Sequence, residues 1–160
     1  ALYFWIVQFL KRRYDRVEIR FIAHDYEAHE LSEKEFFTIV DSGGTRVSAA
    51  YQLCSDIIQA EYPTSKWNIY VFHASDGDTW NDEKECMKLV DKITKEQGAN
   101  LFGYTEINID SYRDGSSLLL DHFKSKKKEN EKILVSVVNE LPDVMDAIKV
   151  FLRHSVKESP

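Results

Sequence analysis

The sequence is poor in cysteine, proline and glycine, with 2, 3 and 6 of these residues in 160. The two cysteines, Cys54 and Cys86, lie far apart and share no metal-ligand spacing, which argues against a disulfide framework and indicates a reducing cytoplasm. The low glycine and proline content excludes collagen-like repeats and low-complexity disorder. The sequence also lacks the roughly 20-residue apolar run that a membrane-spanning helix needs, so no membrane contact is expected.

An excess of positive charge is missing as well. Lysine and arginine total 21 against 27 aspartates and glutamates, which gives a net charge of −6 and an isoelectric point near 5.4. The basic run at residues 124–128 is followed by Glu129 and Glu131, and it is interpreted as a solvated helix end. Because binding to phosphates requires a clustered basic face, nucleic acid is not an expected partner.

The sequence does contain enough apolar residues for one packed domain. Hydrophobic residues make up 43% and aromatic residues 12% of the 160 positions. A chain of this length buries roughly 68–70% of its unfolded surface on folding. We therefore expect residues 1–160 to form a single domain. Since the chain opens at Ala1, inside an aromatic amphipathic segment and with no initiating methionine, we expect it to be a fragment of a longer protein.

Helical and strand patterns alternate along the chain. Apolar spacing predicts helices over residues 1–13, 46–60 and 82–97, from Ser116 and from about Leu141, and strands over residues 17–23, 67–73, 100–107 and 133–138. A short edge strand at residues 28–31 and a capping box at residues 32–35, which opens a short helix, are also expected. Such alternation predicts an α/β fold of three layers, with a mainly parallel sheet and helices on both faces.

Two polar loops qualify as binding sites because ligands in open α/β sheets bind beyond the carboxyl ends of the strands. Residues 41–45 (Asp-Ser-Gly-Gly-Thr) precede a helix, where paired glycines expose backbone N–H groups and Thr45 offers a hydroxyl. Residues 75–78 (Ser-Asp-Gly-Asp) follow a buried strand, and their carboxylates suit a hard cation such as Mg²⁺. Taken alone, each loop is better interpreted as an ordinary turn.

Together the two loops resemble those of the von Willebrand factor A domain, a Rossmann-like α/β fold. That resemblance implies a metal-ion-dependent adhesion site in which Thr45 binds Mg²⁺ directly and Asp76 acts mainly through a coordinated water. It further implies that neighbouring residues support the site or contact a partner; these are Ser42, Gly43, Gly44, Ser75, Asp78, His24 and Asp25.

Longer segments, at residues 16–25, 42–51, 67–78 and 100–104, resemble the bacterial YeaH/YhbH family of uncharacterised proteins. In that family the first metal loop, Asp-x-Ser-x-Ser, follows the first sheet strand and would lie just before Ala1. Both the loop and the strand are absent from this sequence. Thr45 and Asp76 alone supply too few oxygens for tight binding, so we expect a weak or vacant Mg²⁺ site and uncovered strand edges in this fragment.

The resemblance implies a cytoplasmic, stress- or sporulation-associated protein that is no enzyme and that binds another protein with the help of Mg²⁺. A PrkA-type serine kinase and a SpoVR-like protein are the partners it suggests. The alternative from the residues is a Mg²⁺-dependent phosphohydrolase that uses Asp25, Asp76 or Asp78, because α/β folds host many chemistries.

Other enzymatic signals are weak. His24 and His29 match no helical zinc motif, and His73 lies within a predicted strand, where a packed or hydrogen-bonded ring is expected. The sequence contains no nucleophile elbow, no G-x-G-x-x-G and no Walker loop.

Overall fold

The computed structural model describes residues 2–38, 46–109 and 115–157, and from α3 onward helices and strands alternate in these ranges. The elements, in chain order, are α1 (Leu2–Arg13), β1 (Phe21–His24), β2 (Ala28–Leu31), α2 (Glu33–Thr38), α3 (Val47–Glu61), β3 (Tyr70–Ser75), α4 (Glu83–Asp91) with a π-helical turn (Lys92–Glu96), β4 (Leu101–Ile107), α5 (Leu118–Glu129), β5 (Ile133–Val138) and α6 (Asp143–Lys157). The predicted mixed α/β character is confirmed. No helix within the described ranges is both long and apolar enough to cross a lipid bilayer.

The strands form two separate sheets in the described part of the chain. β3, β4 and β5 make a parallel sheet with β4 in the centre, in the register Tyr70 opposite Leu101 and Phe102 opposite Ile133. β1 and β2 make an antiparallel hairpin in which Phe21 faces Leu31. The predicted short edge strand at residues 28–31 is thereby confirmed.

Alternate side chains of the parallel strands enter two hydrophobic layers. On one face Val71, Phe102 and Val135 pack in a core with α3, α4 and α5. On the other face Phe72 and Leu134 pack in a smaller core with α1 and α6. Because strand side chains point to opposite faces in turn, this division puts helices on both sides of the sheet, as the sequence pattern predicted.

Local chemistry explains several element ends. At the start of α2, the Ser32 hydroxyl donates to the Glu35 carboxylate and accepts from the Glu35 backbone N–H, which is the predicted capping box. After the π-helical turn, Gly98 adopts φ +74°, a left-handed conformation that ends the helical segment as expected. The helix predicted over residues 82–97 is therefore present, although its last turn is wider than an α-helix.

The first predicted strand requires a correction. Residues 17–23 were expected to join the parallel sheet, but β1 spans only Phe21–His24 and pairs with β2 alone. The preceding residues Arg16–Ile19 instead line a large cavity between β1 and β3. In the described ranges no strand bridges that cavity, so the main sheet has three strands where the sequence pattern predicted four.

Candidate functional site

The ends of β1 and β3 and the start of α3 meet at one edge of the molecule, which we call the strand-end rim and define by His24, Asp25, Ser75, Asp76 and Asp78. The rings of His24 and His73 lie 5.9 Å apart, which brings the last residue of β1 close to β3. The Arg46 backbone N–H, just before α3, donates to the Asp25 carbonyl at 3.4 Å. Distant segments of sequence therefore converge at this rim.

A second contact fixes the start of α3. The backbone N–H of Ser48, in the first turn of the helix, donates to Asp82 Oδ2 at 2.7 Å. A carboxylate at this position satisfies a helix N–H that has no intrahelical partner, and it interacts favourably with the positive end of the helix. Asp82 Oδ1 is buried and has no partner in the described residues. The loop after β3 and the start of α3 are thereby tied together.

The loop after β3 is a compact turn held by its own side chains. The Ser75 hydroxyl accepts from the Gly77 N–H, and Asp76 Oδ1 accepts from the Asp78 N–H, each at 3.0 Å. Gly77 has φ +85°, and a Cβ there would lie 2.6 Å from Ser117 Oγ. Only glycine fits both the backbone conformation and this close approach. The Asp-Gly turn predicted from sequence is present, and its hydrogen bonds fix the position of the Asp76 side chain.

A buried carboxylate lies against that turn. Glu106, near the end of β4, is fully buried and pairs in register with Ser75. It accepts hydrogen bonds from the Tyr104 hydroxyl at 3.1 Å and from the hydroxyl and backbone N–H of Ser117, the residue that caps α5. The functional reading of the sequence missed Glu106. The available signal was a single acidic residue near the end of an otherwise apolar strand.

Asp25 forms a similar turn after β1. Its Oδ1 accepts from the Glu27 N–H at 2.9 Å, and its own N–H donates to the Glu27 carbonyl at 2.9 Å. The hydrogen bond from Glu27 is the main reason that the pKa of Asp25 lies below its usual value. Asp25 is exposed and charged at neutral pH, and it adds a carboxylate to the rim.

The two histidines at the cavity mouth are neutral at pH 7. Burial lowers the pKa of His73 to about 3, with a smaller contribution from His24. Burial also lowers the pKa of His24, although the charges of Asp82, Asp25 and Asp76 oppose this shift. His73 Nδ1 lies 2.8 Å from the Tyr51 hydroxyl, which agrees with the predicted hydrogen-bonded ring. His73 Nε2 and His24 Nδ1 are buried and have no partner in the described ranges.

The predicted metal residues divide into two groups. His24, Asp25, Ser75, Asp76 and Asp78 all lie along the rim. Four others, Ser42, Gly43, Gly44 and Thr45, lie outside the described residues, so the predicted pairing of Thr45 with Asp76 stays a prediction. Among the residues that the structure describes, no group of three or more histidine, cysteine, aspartate or glutamate side chains could hold a metal ion. These side chains alone do not make a Mg²⁺ site.

An exposed aromatic pair flanks the rim, and sequence reasoning gave it no role. The rings of Tyr26 and Trp80 contact each other edge to face at 5.2 Å, and each residue is 61% exposed. Tyr26 follows Asp25 directly, and Trp80 lies between Asp78 and Asp82. Large aromatic side chains are enriched where proteins bind each other, so this pair is a contact candidate beside the rim carboxylates.

Comparison with known proteins places the chain among bacterial proteins of one family. Residues 1–155 match the family described as "Protein of unknown function (DUF444)". The chain is 38% identical over its full length to a UPF0229 protein of Shouchella clausii and 37% identical over 99% of its length to one of Bacillus cereus. It covers 40% and 39% of those relatives, so it spans about two fifths of their length. No solved structure matches the chain.

Proposed function

The chain belongs to the DUF444 family, and from that premise we propose that it is a protein-interaction module whose partner binding depends on Mg²⁺ held at the strand-end rim of the complete protein. The observation that carries the proposal is the convergence at this rim of the ends of β1 and β3 with the start of α3. Ligands in open α/β sheets bind at such strand ends. A von Willebrand factor A-like fold is part of the same proposal.

The contact between Arg46 and Asp25 supports a role for Thr45. Thr45 is covalently joined to Arg46, whose backbone N–H donates to the carbonyl of Asp25. Asp76 belongs to the same rim, and its charge acts on the His24 ring there. A threonine hydroxyl and an aspartate near one another would supply two oxygens to a hard cation. We propose Thr45 as a direct ligand and Asp76 as a ligand acting through water.

The carboxylates of the described residues do not complete a magnesium site, so the proposal requires further oxygen ligands. Mg²⁺ takes six oxygen ligands in near-octahedral geometry and keeps several waters. Further oxygens would come from the rest of the longer protein and from a carboxylate of the partner. For the chain by itself we propose weak or absent Mg²⁺ binding.

The surroundings of the rim favour docking over catalysis. The turn at residues 75–78, supported by Glu106 and Gly77, holds its carboxylate in a fixed position. The exposed rings of Tyr26 and Trp80 offer apolar contact area beside the proposed ion. We therefore propose an interaction surface and no enzymatic activity, in the cytoplasm of a bacterium.

The partner candidates are a PrkA-type serine kinase and a SpoVR-like protein, with a role in stress or sporulation, as the resemblance to YeaH/YhbH proteins implies. The full-length protein is immobilised, and each purified candidate is passed over it with about 10 mM Mg²⁺ or with EDTA; this Mg²⁺ concentration is about tenfold above a millimolar dissociation constant. We expect binding with Mg²⁺ that Thr45→Ala and Asp76→Ala each abolish. Thr64→Ala and Asp15→Ala are the matched controls, since both residues are exposed and lie in the segments that precede β3 and β1, not at the strand ends that form the rim.

Two outcomes contradict the proposal. Equal partner binding in Mg²⁺ and in EDTA would show that the interface does not require the ion. Release of phosphate from p-nitrophenyl phosphate by the full-length protein, lost in Asp76→Ala while partner binding persists, would establish the alternative of a Mg²⁺-dependent phosphohydrolase using Asp25, Asp76 or Asp78.

A further inference from the structure

A groove of about 400 Å³ runs along a side of α3 that does not face the large cavity between β1 and β3. We call it the α3 groove and define it by the ranges that line it, 26–28, 46–56 and 85–89, which belong to the hairpin turn with the start of β2, to α3 and to α4. The stretch from Arg46 to Asp56 is about 15 Å long at the usual helical rise. The groove therefore has room for a short segment of chain.

The floor of the α3 groove is apolar. α3 contributes Ala49, Gln52, Leu53 and Asp56, which have the i, i+3, i+4 and i+7 spacing of one helix face. Leu53 is partly exposed and belongs to neither hydrophobic core of the described residues. Leu89 of α4 lines the groove too and is almost completely buried. An apolar side chain of a partner would lose water on this floor, which favours binding.

Carboxylates surround this floor. Glu27, Asp56 and Glu85 line the groove and are exposed, and Arg46 is the basic residue among the described residues that line it. Three carboxylates and one guanidinium give the lining a formal charge of −2. Glu85 forms an ion pair with Lys88 at 3.1 Å, but both side chains are more than half exposed, so this pair is weak.

Other carboxylates of the same elements are neutralised within the chain. Arg20 forms ion pairs with Glu30 of β2 and with Glu61 at the end of α3. Glu27, just before β2, and Asp56 of α3 have no cationic partner among the residues that the structure describes. Their negative charge is therefore available to a binding partner.

The carboxylates of the groove are spread along it and do not surround one point. Glu27 comes from the hairpin turn, Asp56 from the second half of α3 and Glu85 from α4. Within the described ranges no three acidic, histidine or cysteine side chains converge closely enough to hold a metal ion. Separate carboxylates suit successive lysine or arginine side chains of a polypeptide better than they suit a single metal cation.

The aromatic pair at the end of the groove near the rim has the same preference. Tyr26 lines the groove, and its ring contacts that of Trp80, which is equally exposed. The face of a tyrosine or tryptophan ring attracts the ammonium group of lysine and the guanidinium group of arginine. The aromatic rings and the carboxylates therefore favour the same kind of side chain.

We propose that the α3 groove binds a basic segment of a partner protein, which places an apolar side chain on Leu53 and directs lysine or arginine side chains toward Glu27, Asp56 and the Tyr26–Trp80 pair. The positive charge of this segment complements both the groove and the net charge of −6 of the chain. Nucleic acid and anionic membranes are repelled by the same carboxylates. Binding in the groove requires no metal ion, so it is independent of Mg²⁺ at the strand-end rim.

Fluorescence anisotropy of labelled peptides added to the full-length protein tests the proposal. The probe is a peptide of about ten residues, which spans about 15 Å as a helix, built from lysines with leucines at positions i and i+4. One control peptide has glutamates in place of the lysines, and the other has serines in place of the leucines. In EDTA and about 0.15 M NaCl, we expect the lysine–leucine peptide to bind at least about tenfold more tightly than either control. Absence of binding, or equal binding of either control peptide, would overturn the proposal.

Charge-reversal variants locate the peptide on the protein. Glu27→Lys and Asp56→Lys should each weaken binding of the lysine–leucine peptide by about tenfold, because attraction is replaced by repulsion. Glu131→Lys is the matched control, since it changes the net charge equally at an exposed residue between α5 and β5, and it should change the affinity by less than about twofold. All three side chains are exposed, so these variants keep the fold. Equal weakening by all three variants would indicate general attraction to an acidic protein and would contradict the proposal.

Asp76→Ala distinguishes the α3 groove from the strand-end rim. This variant should abolish Mg²⁺-dependent binding of a partner at the rim and yet bind the lysine–leucine peptide in EDTA within about twofold of the unaltered protein. Loss of peptide binding in Asp76→Ala would place the peptide at the rim and overturn the groove proposal. Unchanged peptide binding supports the groove, whether or not the rim proves to bind Mg²⁺.

Discussion

The two sides of the molecule differ in how completely their strands are covered. On the closed side, β4 pairs with a strand on each of its edges, and apolar side chains of β4 and β5 pack in one core with α4 and α5. On the open side, β1 and one edge of β3 face the large cavity between them, and β2 pairs with β1 alone in the described residues. β4 is buried at its first six positions, whereas β3 is only partly buried along its whole length, although both strands are similarly apolar in sequence. Burial is therefore set by the neighbours that a strand finds.

The aromatic residues repeat this contrast. On the closed side the rings of Tyr104 and Phe123 stack with their centroids 4.4 Å apart, and both side chains are fully buried. On the open side the ring of Phe4 contacts those of Trp5 and Phe37, and all three residues remain 41–54% exposed. The open side therefore exposes more aromatic surface than the closed side.

The largest expected difference between the sides comes from removing one ring from each. Phe123→Ala should lower the free energy of unfolding by about 3–5 kcal/mol, because it opens a cavity in the closed core. Phe37→Ala should cost less than about 1 kcal/mol, because its ring is already partly in solvent. Urea denaturation of the two variants measures both values. Equal losses of unfolding free energy in the two variants would contradict the distinction between the two sides.

The buried carboxylate on the closed side predicts the next largest effect. Glu106→Ala should cost about 3 kcal/mol, because the Tyr104 hydroxyl and the Ser117 N–H lose their buried acceptor. Glu106→Gln retains an acceptor and should cost clearly less. Thermal unfolding monitored by circular dichroism compares the two variants. If alanine is tolerated as well as glutamine, Glu106 does not hold the turn at residues 75–78 in place.

On the open side, His73 should make stability depend on pH. Its folded pKa is near 3 and its unfolded pKa is about 6.5, so between these values the unfolded chain binds the extra proton. Stability should fall as the pH drops below about 6.5, by at most about 1.4 kcal/mol per pH unit, and this term should be absent above pH 7.

His73→Gln should reduce the dependence of the free energy of unfolding on pH, and urea midpoints between pH 4.5 and 7.5 would detect the change. His24, whose pKa is also lowered, accounts for part of the pH dependence that remains. Tyr51 and Tyr104, which contact the His73 ring, stay neutral throughout this range. An unaltered slope in the variant would mean that His73 is hydrated in the complete protein.

The smallest effect is expected at the surface of the open side. Lys11 forms an ion pair with Glu33 at 3.0 Å, joining α1 to α2, and both side chains are nearly half exposed. Lys11→Ala should change the free energy of unfolding by less than about 1 kcal/mol, and the change should shrink in 1 M NaCl. A larger, salt-independent loss would show that α1 and α2 are more tightly joined than the structure indicates.

Prediction from sequence succeeded where local patterns decide the structure. The strand over residues 133–138, the helix after Arg46 and the Ser32–Glu35 capping box follow from apolar spacing and hydrogen-bonding chemistry alone. The strand over residues 17–23 was placed in the wrong sheet, because pairing depends on which strand lies beside it. Glu106 was missed because its role arises only when β4 meets the start of α5.

The two cysteines provide the most direct test of the central claim that the open side is less completely covered than the closed side. Cys54 is partly buried and lines the large cavity between β1 and β3, whereas Cys86 is fully buried in the closed core. In the native protein, we predict that a small thiol reagent modifies Cys54 faster than Cys86, which should react only after unfolding in urea. Equal protection of the two cysteines would show that both sides are equally covered and would contradict the account.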